Sequence, residues 1–221
     1  MATITLAVIS QKGGTGKTTA VINFAVAATR AGKRVVIADL DPQASATTWY
    51  RLRADKSLIV QPTHPAGLPE LRAAAEKQGI DWLILDTAAG TDPTTAKAVE
   101  MSDIALITCR PSLFDRDATA NSVRLCRVHG RTPHILLTQI EPHGTQADDV
   151  RGALASVGVE VLVGGLGRRA AFAKSINGGL AASEYEPSGK ASAEVVAFYE
   201  AVERHASKVS KYQPSKLENV Q

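Results

Sequence analysis

The sequence predicts an α/β fold, a mostly parallel twisted sheet flanked by helices on both faces. Three observations carry that prediction. Short runs rich in Val, Ile and Leu alternate with helix-length segments, the pattern of successive βα units. The runs are apolar throughout, as expected of strands covered on both faces. A glycine-rich stretch follows the first run and acidic residues end two later ones, at the strand ends where such sheets hold ligands.

Taken in order, Ile4 to Ile9 reads as the first strand and Ala20 to Ala28 as part of a helix that starts near Gly16. Ala31-Gly32-Lys33-Arg34 ends that helix, with Gly32 as the expected C-cap. Val35 to Ala38 is the second strand, and Asp39-Leu40-Asp41-Pro42-Gln43 leads into a helix from Ala44 to Arg53. Leu58 to Val60 is a minor strand, His64 to Pro69 a loop and Glu70 to Lys77 a short helix. Trp82 to Asp86 is the next strand, and Asp92-Pro93 opens a helix as N-cap and first-turn proline. Ile104 to Thr108 and Ile135 to Thr138 are strands around a helix from Asp115 to Val128. Ala147 to Ser156 is helical and Val159 to Val163 a strand. Val195, Phe198, Tyr199, Val202, Ala206 and Val209 recur at helical spacing and describe a long terminal helix. Residues 1–209 are therefore expected to form one domain, and Ser210 to Gln221, interrupted by Pro214, a frayed tail.

Composition bounds the class. The chain has 221 residues, 44% of them hydrophobic and 21% charged, which suits a single globular domain. A net charge of +3 permits nucleic-acid binding without arguing for it. Cys109 and Cys126 have neither disulfide-framework nor metal-ligand spacing and read as buried small hydrophobes. No apolar run reaches the length of a membrane span, and no signal core stands at the N-terminus. The expectation is a cytoplasmic protein that does not engage the membrane.

The chemistry concentrates in Ser10-Gln11-Lys12-Gly13-Gly14-Thr15-Gly16-Lys17-Thr18-Thr19. Strand, glycine loop and helix form the context of a phosphate-binding loop. Its glycines allow a tight backbone whose N–H groups turn toward an anion, and the helix dipole adds to the attraction. Lys17 is expected to reach the β- and γ-phosphates and Thr18 to ligate magnesium. The ordinary G-x-x-x-x-G-K-[ST] pattern fails at its first position, which is Gln11, and a second lysine, Lys12, opens the loop instead. Asp86 after an apolar strand reads as a Walker B aspartate for magnesium.

Lys12 to Thr19 fits K-G-G-x-G-K-[ST]-T throughout and resembles the deviant Walker A (SIMIBI-type) P-loop NTPases, among them the ParA and MinD ATPases, nitrogenase iron protein and arsenite-pump ATPases. The resemblance implies ATP/ADP and Mg2+ as ligands, with Lys12, Gly13, Gly14, Thr15, Gly16, Lys17, Thr18 and Thr19 at the nucleotide. It implies that Lys12 crosses a homodimer interface to the partner's nucleotide, as an arginine finger does. The D-x-D-P-Q segment resembles the motif after the second strand of ParA proteins. It implies Asp41 as the residue that orients or deprotonates the attacking water and Asp39 as support for the magnesium shell. Asp86-Thr87-Ala88-Ala89-Gly90 resembles the family's γ-phosphate-sensing segment, although without its usual prolines. Arg110 to Asp115 resembles the proline-containing loop of small ParA proteins, and Gly165 to Ser175 the loop by which Arg168 closes over adenine in the short, ParF-like subfamily.

The function implied is a partition ATPase, nucleoid-associated in the cytoplasm. Its ATP-bound dimer would bind DNA nonspecifically, and a ParB-like centromere-binding protein or cargo adaptor would stimulate hydrolysis. Sequence-specific operator recognition is not expected, because no helix-turn-helix precedes the first strand. Arg151, Arg168, Arg169, Lys174, Lys190, Arg204, Lys208 and Lys211 concentrate basic charge in the C-terminal third. The alternatives are a MinD-like membrane-positioning switch, a redox ATPase using the cysteines and a metabolic phosphotransferase.

Overall fold

A computed structural model of the chain describes residues 3–212 except 91, 144 and 157, with the side chains of 113–117 and 209–212 outside the description. The elements are β1 (Ile4–Ile9), α1 (Lys17–Arg30), β2 (Val35–Asp39), α2 (Ser45–Leu52), β3 (Ile59–Pro62), α3 (Leu68–Lys77), β4 (Trp82–Asp86) and α4 (Pro93–Met101). There follow β5 (Ile104–Cys109), α5 (Leu113–Val128), β6 (Pro133–Ile140), α6 (Gln146–Ser156), β7 (Glu160–Val161), β8 (Leu166–Gly167), α7 (Ala170–Asn177), α8 (Ala182–Tyr185) and α9 (Lys190–Tyr212). The strands pair in the order β3-β2-β4-β1-β5-β6-β7, with β8 pairing β6 off that path. Each pairing is parallel, so the strand carboxyl ends share one edge.

Strand alternation divides the core. Leu6 and Val8 of β1 face a cluster with α1 and α9, while Ala7 and Ile9 face one with α3, α4 and α5. Helix α1 is buried through most of its length, because it lies between sheet and α9. Phe24 on α1 meets the Trp82 ring edge-on at 4.9 Å between centroids and touches Phe198 and Tyr199 from α9. Such aromatic contacts add about 0.5–1.5 kcal/mol each to the area they bury. Both cysteines are buried thiols outside any disulfide, and burial pushes the Cys126 thiol up to about 12.

Two buried ties run from the nucleotide-side helices to α8. Asn23 on α1 accepts from the Ala182 N–H at 2.9 Å while donating to Thr19 O at 2.8 Å. Just past α2, Arg53 grips Glu184 with two hydrogen bonds of 2.7 Å, and Trp49 Nε1 donates to Leu180 O.

Several boundaries differ from expectation. The C-cap of α1 is Ala31, and Gly32 lies one residue beyond at φ +80°, the left-handed position that favours glycine. The minor strand starts at Ile59, and Leu58 before it is buried. The strand expected over 159–163 contracts to Glu160–Val161, because the chain turns at Gly164 and Gly165 to bring β8 against the far end of β6. Gly165 sits at φ +148°, and a Cβ there would lie 2.5 Å from Ile140 Cδ1 and 2.8 Å from Leu137 O. Neither β8 nor α8 is long enough to leave a periodic signal. Helix α9 runs to Tyr212, past the expected start of the tail at Ser210, and residues 213–221 of that tail lie outside the described residues.

Gly32 and Gly179 have similar backbones, φ +80° and +71°, yet a Cβ meets nothing within 4 Å at the first and falls 2.7–2.8 Å from Leu52 and Arg53 backbone atoms at the second. Gly32→Ala should therefore cost only the left-handed strain, about 1–2 kcal/mol. Gly179→Ala should cost at least about 2 kcal/mol more, because backbone must move. Urea denaturation of the two variants measures the difference.

Candidate functional site

Strand β1 lies mid-sheet between β4 and β5. Connections run to one side from β1 and to the other from β5, so the loop after β1 emerges at a topological switch point. Gly14 and Gly16 there adopt φ +71° and +82°, which side chains resist. Gly16 is the N-cap of α1, and no side chain caps it, leaving orphan N–H groups for an anion. The loop is braced from behind. Thr15 Oγ1 lies 2.8 Å from Thr108 Oγ1 on β5, the Thr138 hydroxyl on β6 donates to Thr15 O at 2.7 Å, and Gln139 Nε2 donates to Gly14 O at 2.6 Å.

In front of the loop is an open groove of about 560 Å³. Gly13, Gly14, Gly16, Lys17, Thr18 and Thr19 form one wall, and Asp41, Pro42, Gln43 and Ser45 the second. Ala88 and Ala89 complete it. The loop, the Asp41 segment and the segment after β4 thus converge, and Thr15 stands behind the loop, bracing it.

Asp86 is the electrostatic centre. It is fully buried at the end of β4, opposite Asp39 in register on β2. Burial is the main cause that drives its carboxyl up to about 7, and Asp39 and Asp41 push the same way. The Thr18 hydroxyl and Lys17 oppose part of that rise, but neither Asp86 oxygen closes a hydrogen bond of normal geometry. An orphaned carboxylate beside a threonine hydroxyl is a donor set that fits a hard, oxygen-loving dication such as magnesium. Burial lowers the Lys17 pKa, while Asp86 and Asp41 pull it back up.

Asp39 has another employment. Its Oδ2 accepts from the Thr47 N–H at 2.9 Å and hydroxyl at 2.7 Å, and its Oδ1 from the Asp41 N–H at 3.3 Å. It thereby ties α2 and the Asp41 turn to the sheet, from behind the groove. Asp41 is not the helix cap: its Oδ1 accepts from the Gln43 N–H at 2.9 Å, and the cap is Ala44 at φ +50°. Ala44 and Gln139, at φ +53°, are the non-glycine residues with positive φ among those described. Both flank this site, where backbone strain of order 1–3 kcal/mol is characteristically held.

Lys12 is half-buried and is not among the residues lining the groove. Arg168 is also apart from it. Its side chain is 72% exposed and donates to Glu141 Oε1 at 2.8 Å, beyond the end of β6. Arg151 bonds Leu162 O and Gly164 O, and Arg169 pairs with Glu194, whereas Lys174, Lys190, Arg204 and Lys208 are exposed. The Lys211 side chain and those of Leu113, Phe114 and Asp115 lie outside the described residues.

Sequence reasoning left Ala88 and Ala89 out of the site, although the segment after Asp86 carried a signal. It also missed Thr108, Thr138 and Gln139, which belong to no motif and meet the loop only once the sheet forms.

Residues 6–183 match the CobQ/CobB/MinD/ParA nucleotide binding domain family. The chain is 34% identical over 142 residues to Maintenance of carboxysome distribution protein A of Gloeobacter kilaueensis, covering 62% of this chain and 63% of that protein. It is 29% identical over 144 residues to Chromosome-partitioning ATPase Soj of Thermus thermophilus, covering 52% and 58%. The match thus spans less than two thirds of either relative. Its fold superposes on the septum site-determining protein MinD of Pyrococcus horikoshii, complexed with Mg-ADP, with a TM-score of 0.79 at 18% identity, covering 95% and 99% of the two chains.

Asp86→Asn should stabilise the protein in magnesium- and nucleotide-free buffer. With its pKa raised to about 7, the native carboxyl holds its proton where the unfolded one has lost it, so wild-type stability falls as pH rises toward 7. The gain from Asn should grow between pH 5 and pH 7 and then level off, reaching a few kcal/mol. Thermal melts of both proteins across that range read it.

Proposed function

Because the chain belongs to the CobQ/CobB/MinD/ParA nucleotide-binding family, we propose that it is a slow, magnesium-dependent ATP hydrolase of the partition type. In this reading an ATP-loaded homodimer binds DNA without sequence preference, and a ParB-like protein or cargo adaptor stimulates hydrolysis and release. The observation that carries it is the orphaned Asp86 carboxylate beside Thr18, facing a phosphate loop with Lys17 held between Asp86 and Asp41. The names of the two relatives, one for carboxysome distribution and one for chromosome partitioning, support positioning as the task.

The residues divide the work as follows. Loop N–H groups from Gly13 to Thr19 cradle the β- and γ-phosphates, and Lys17 neutralises them from below. Thr18 and Asp86 hold magnesium, which when bound offsets charge on the same phosphate oxygens. Asp39 acts through the outer shell and through Asp41, whose turn it anchors. Asp41 orients the attacking water and accepts its proton. Ala88 and Ala89 close the γ-phosphate side with small apolar groups that leave room for that water. Lys12, off the groove in its own subunit, stabilises the partner's transition state. Arg168 exchanges Glu141 for the adenine edge. Exposed Lys174, Lys190, Arg204 and Lys208 supply phosphate contacts, which makes DNA binding steeply salt-dependent.

Light scattering, ATP turnover and DNA binding on one set of variants test this. Wild type with a nonhydrolysable ATP analogue should double in mass and bind DNA, and Lys17→Ala should do neither. Asp41→Ala should still dimerise while turnover drops more than about a hundredfold, the scale of a lost general base. Lys12→Ala should still bind ATP and lose turnover by about 10³-fold or more. A Lys12→Ala variant that dimerises and hydrolyses normally would remove the exchange between subunits from the account.

A further inference from the structure

A second cluster of chemistry-bearing side chains lies across the sheet from the phosphate groove. His134 stands at the start of β6, paired in register with Glu160 on β7, and α9 brings His205 over them. Glu160 gives one oxygen to each histidine: His134 Nδ1 is 3.4 Å from Oε2, and His205 Nε2 is 3.4 Å from Oε1. The two rings are 4.2 Å apart between centroids, tilted by 42°. Taking one ligand atom from each residue, the three atoms lie within 4.8 Å of one another.

We propose that His134, Glu160 and His205 form a binding site for a zinc-class divalent cation that clips α9 to the β6–β7 edge.

The distances argue for a metal over an ordinary ion pair. A hydrogen-bonded N–H and carboxylate prefer about 2.9 Å. Both contacts here are 3.4 Å, and His134 Nδ1, on a side chain 10% exposed, closes no hydrogen bond of acceptable geometry. Two ligand atoms on one tetrahedral zinc, each about 2.0–2.1 Å from the ion, stand about 3.3–3.4 Å apart, the spacing of each nitrogen from its own Glu160 oxygen. The donor set also matches: two borderline imidazoles and one hard carboxylate are a combination zinc takes, and three protein ligands leave a fourth position. A cleft of about 410 Å³ opens beside Glu160 and His205. Arg204 and Lys208 line it with Leu162 and Val163. Their charge weakens the hold on a dication and favours an anion as fourth ligand, so the site suits moderate, reversible occupancy. The three ligands are distant in sequence, so a bound ion closes large loops.

The test uses the whole chain, stripped with chelator and titrated with Co2+ in excess magnesium. One equivalent should bind and develop the visible d–d absorption of a four-coordinate site, zinc should displace it, and the melting temperature should rise. Glu160→Gln and His205→Asn, checked for folding by circular dichroism, should each weaken binding by more than about tenfold, the scale set by metal-site disruption. Should either variant misfold, X-ray absorption on the zinc-loaded wild type decides instead, through the scattering of two imidazoles. Absence of saturable binding, affinity unchanged in both variants or a shell without imidazole would each overturn the proposal.

Discussion

The buried carboxylate at the end of β4, only partly offset by Thr18 and Lys17, is the constraint on which the site depends. Asp86 cannot be moved toward solvent, because its strand pairs with β1 and β2 and its neighbours on both faces are core residues. Removing such a group from water without partners costs several kcal/mol unless it holds a proton or meets a cation. The fold maintains that cost and arranges the rest of the site around it: a threonine hydroxyl, a lysine whose own charge is disfavoured by burial and two further aspartates. The groove is thus poised to bind something positive together with something negative, which a metal–phosphate pair is.

Much of the fold is legible in the sequence because its central strands are continuous apolar runs and most of its helices are longer than two turns. The phosphate loop, Asp41 and Asp86 are legible because spacing fixes them: a glycine loop between strand and helix, and acids at strand ends. What escapes has a physical pattern. Two-residue β8 and four-residue α8 are set by tertiary packing, with Gly165 admitted only because Ile140 and Leu137 leave no room for a Cβ. Thr138 and Gln139 reach the loop from 123 and 125 residues away, and no local pattern encodes a contact of that range. Asp39 was visible as an acid at a strand end, but its commitment to Thr47 and the Asp41 N–H depends on how α2 docks. The His134, Glu160 and His205 cluster has no spacing signature at all, since three elements supply one residue each.

The site is rigid in its scaffold and strained at its margins. Side-chain hydroxyls fix the loop to β5 and β6, and left-handed backbones occur at Ala44, beside the Asp41 segment, and at Gln139 on β6, whose side chain holds Gly14 O. The braces hold the loop backbone in the form of an anion cradle, and strained backbone beside it is of the kind that characteristically clusters at functional sites.

Helices α1 and α2 begin at the two loops that face the groove, and both end up tethered to the same short helix, α8, one through Asn23 and the other through Arg53. Two levers with separate fulcrums therefore share a single load point. A shift of one helix without the other would load one tether alone, whereas the two helices moving together would carry α8 with them and leave both tethers whole.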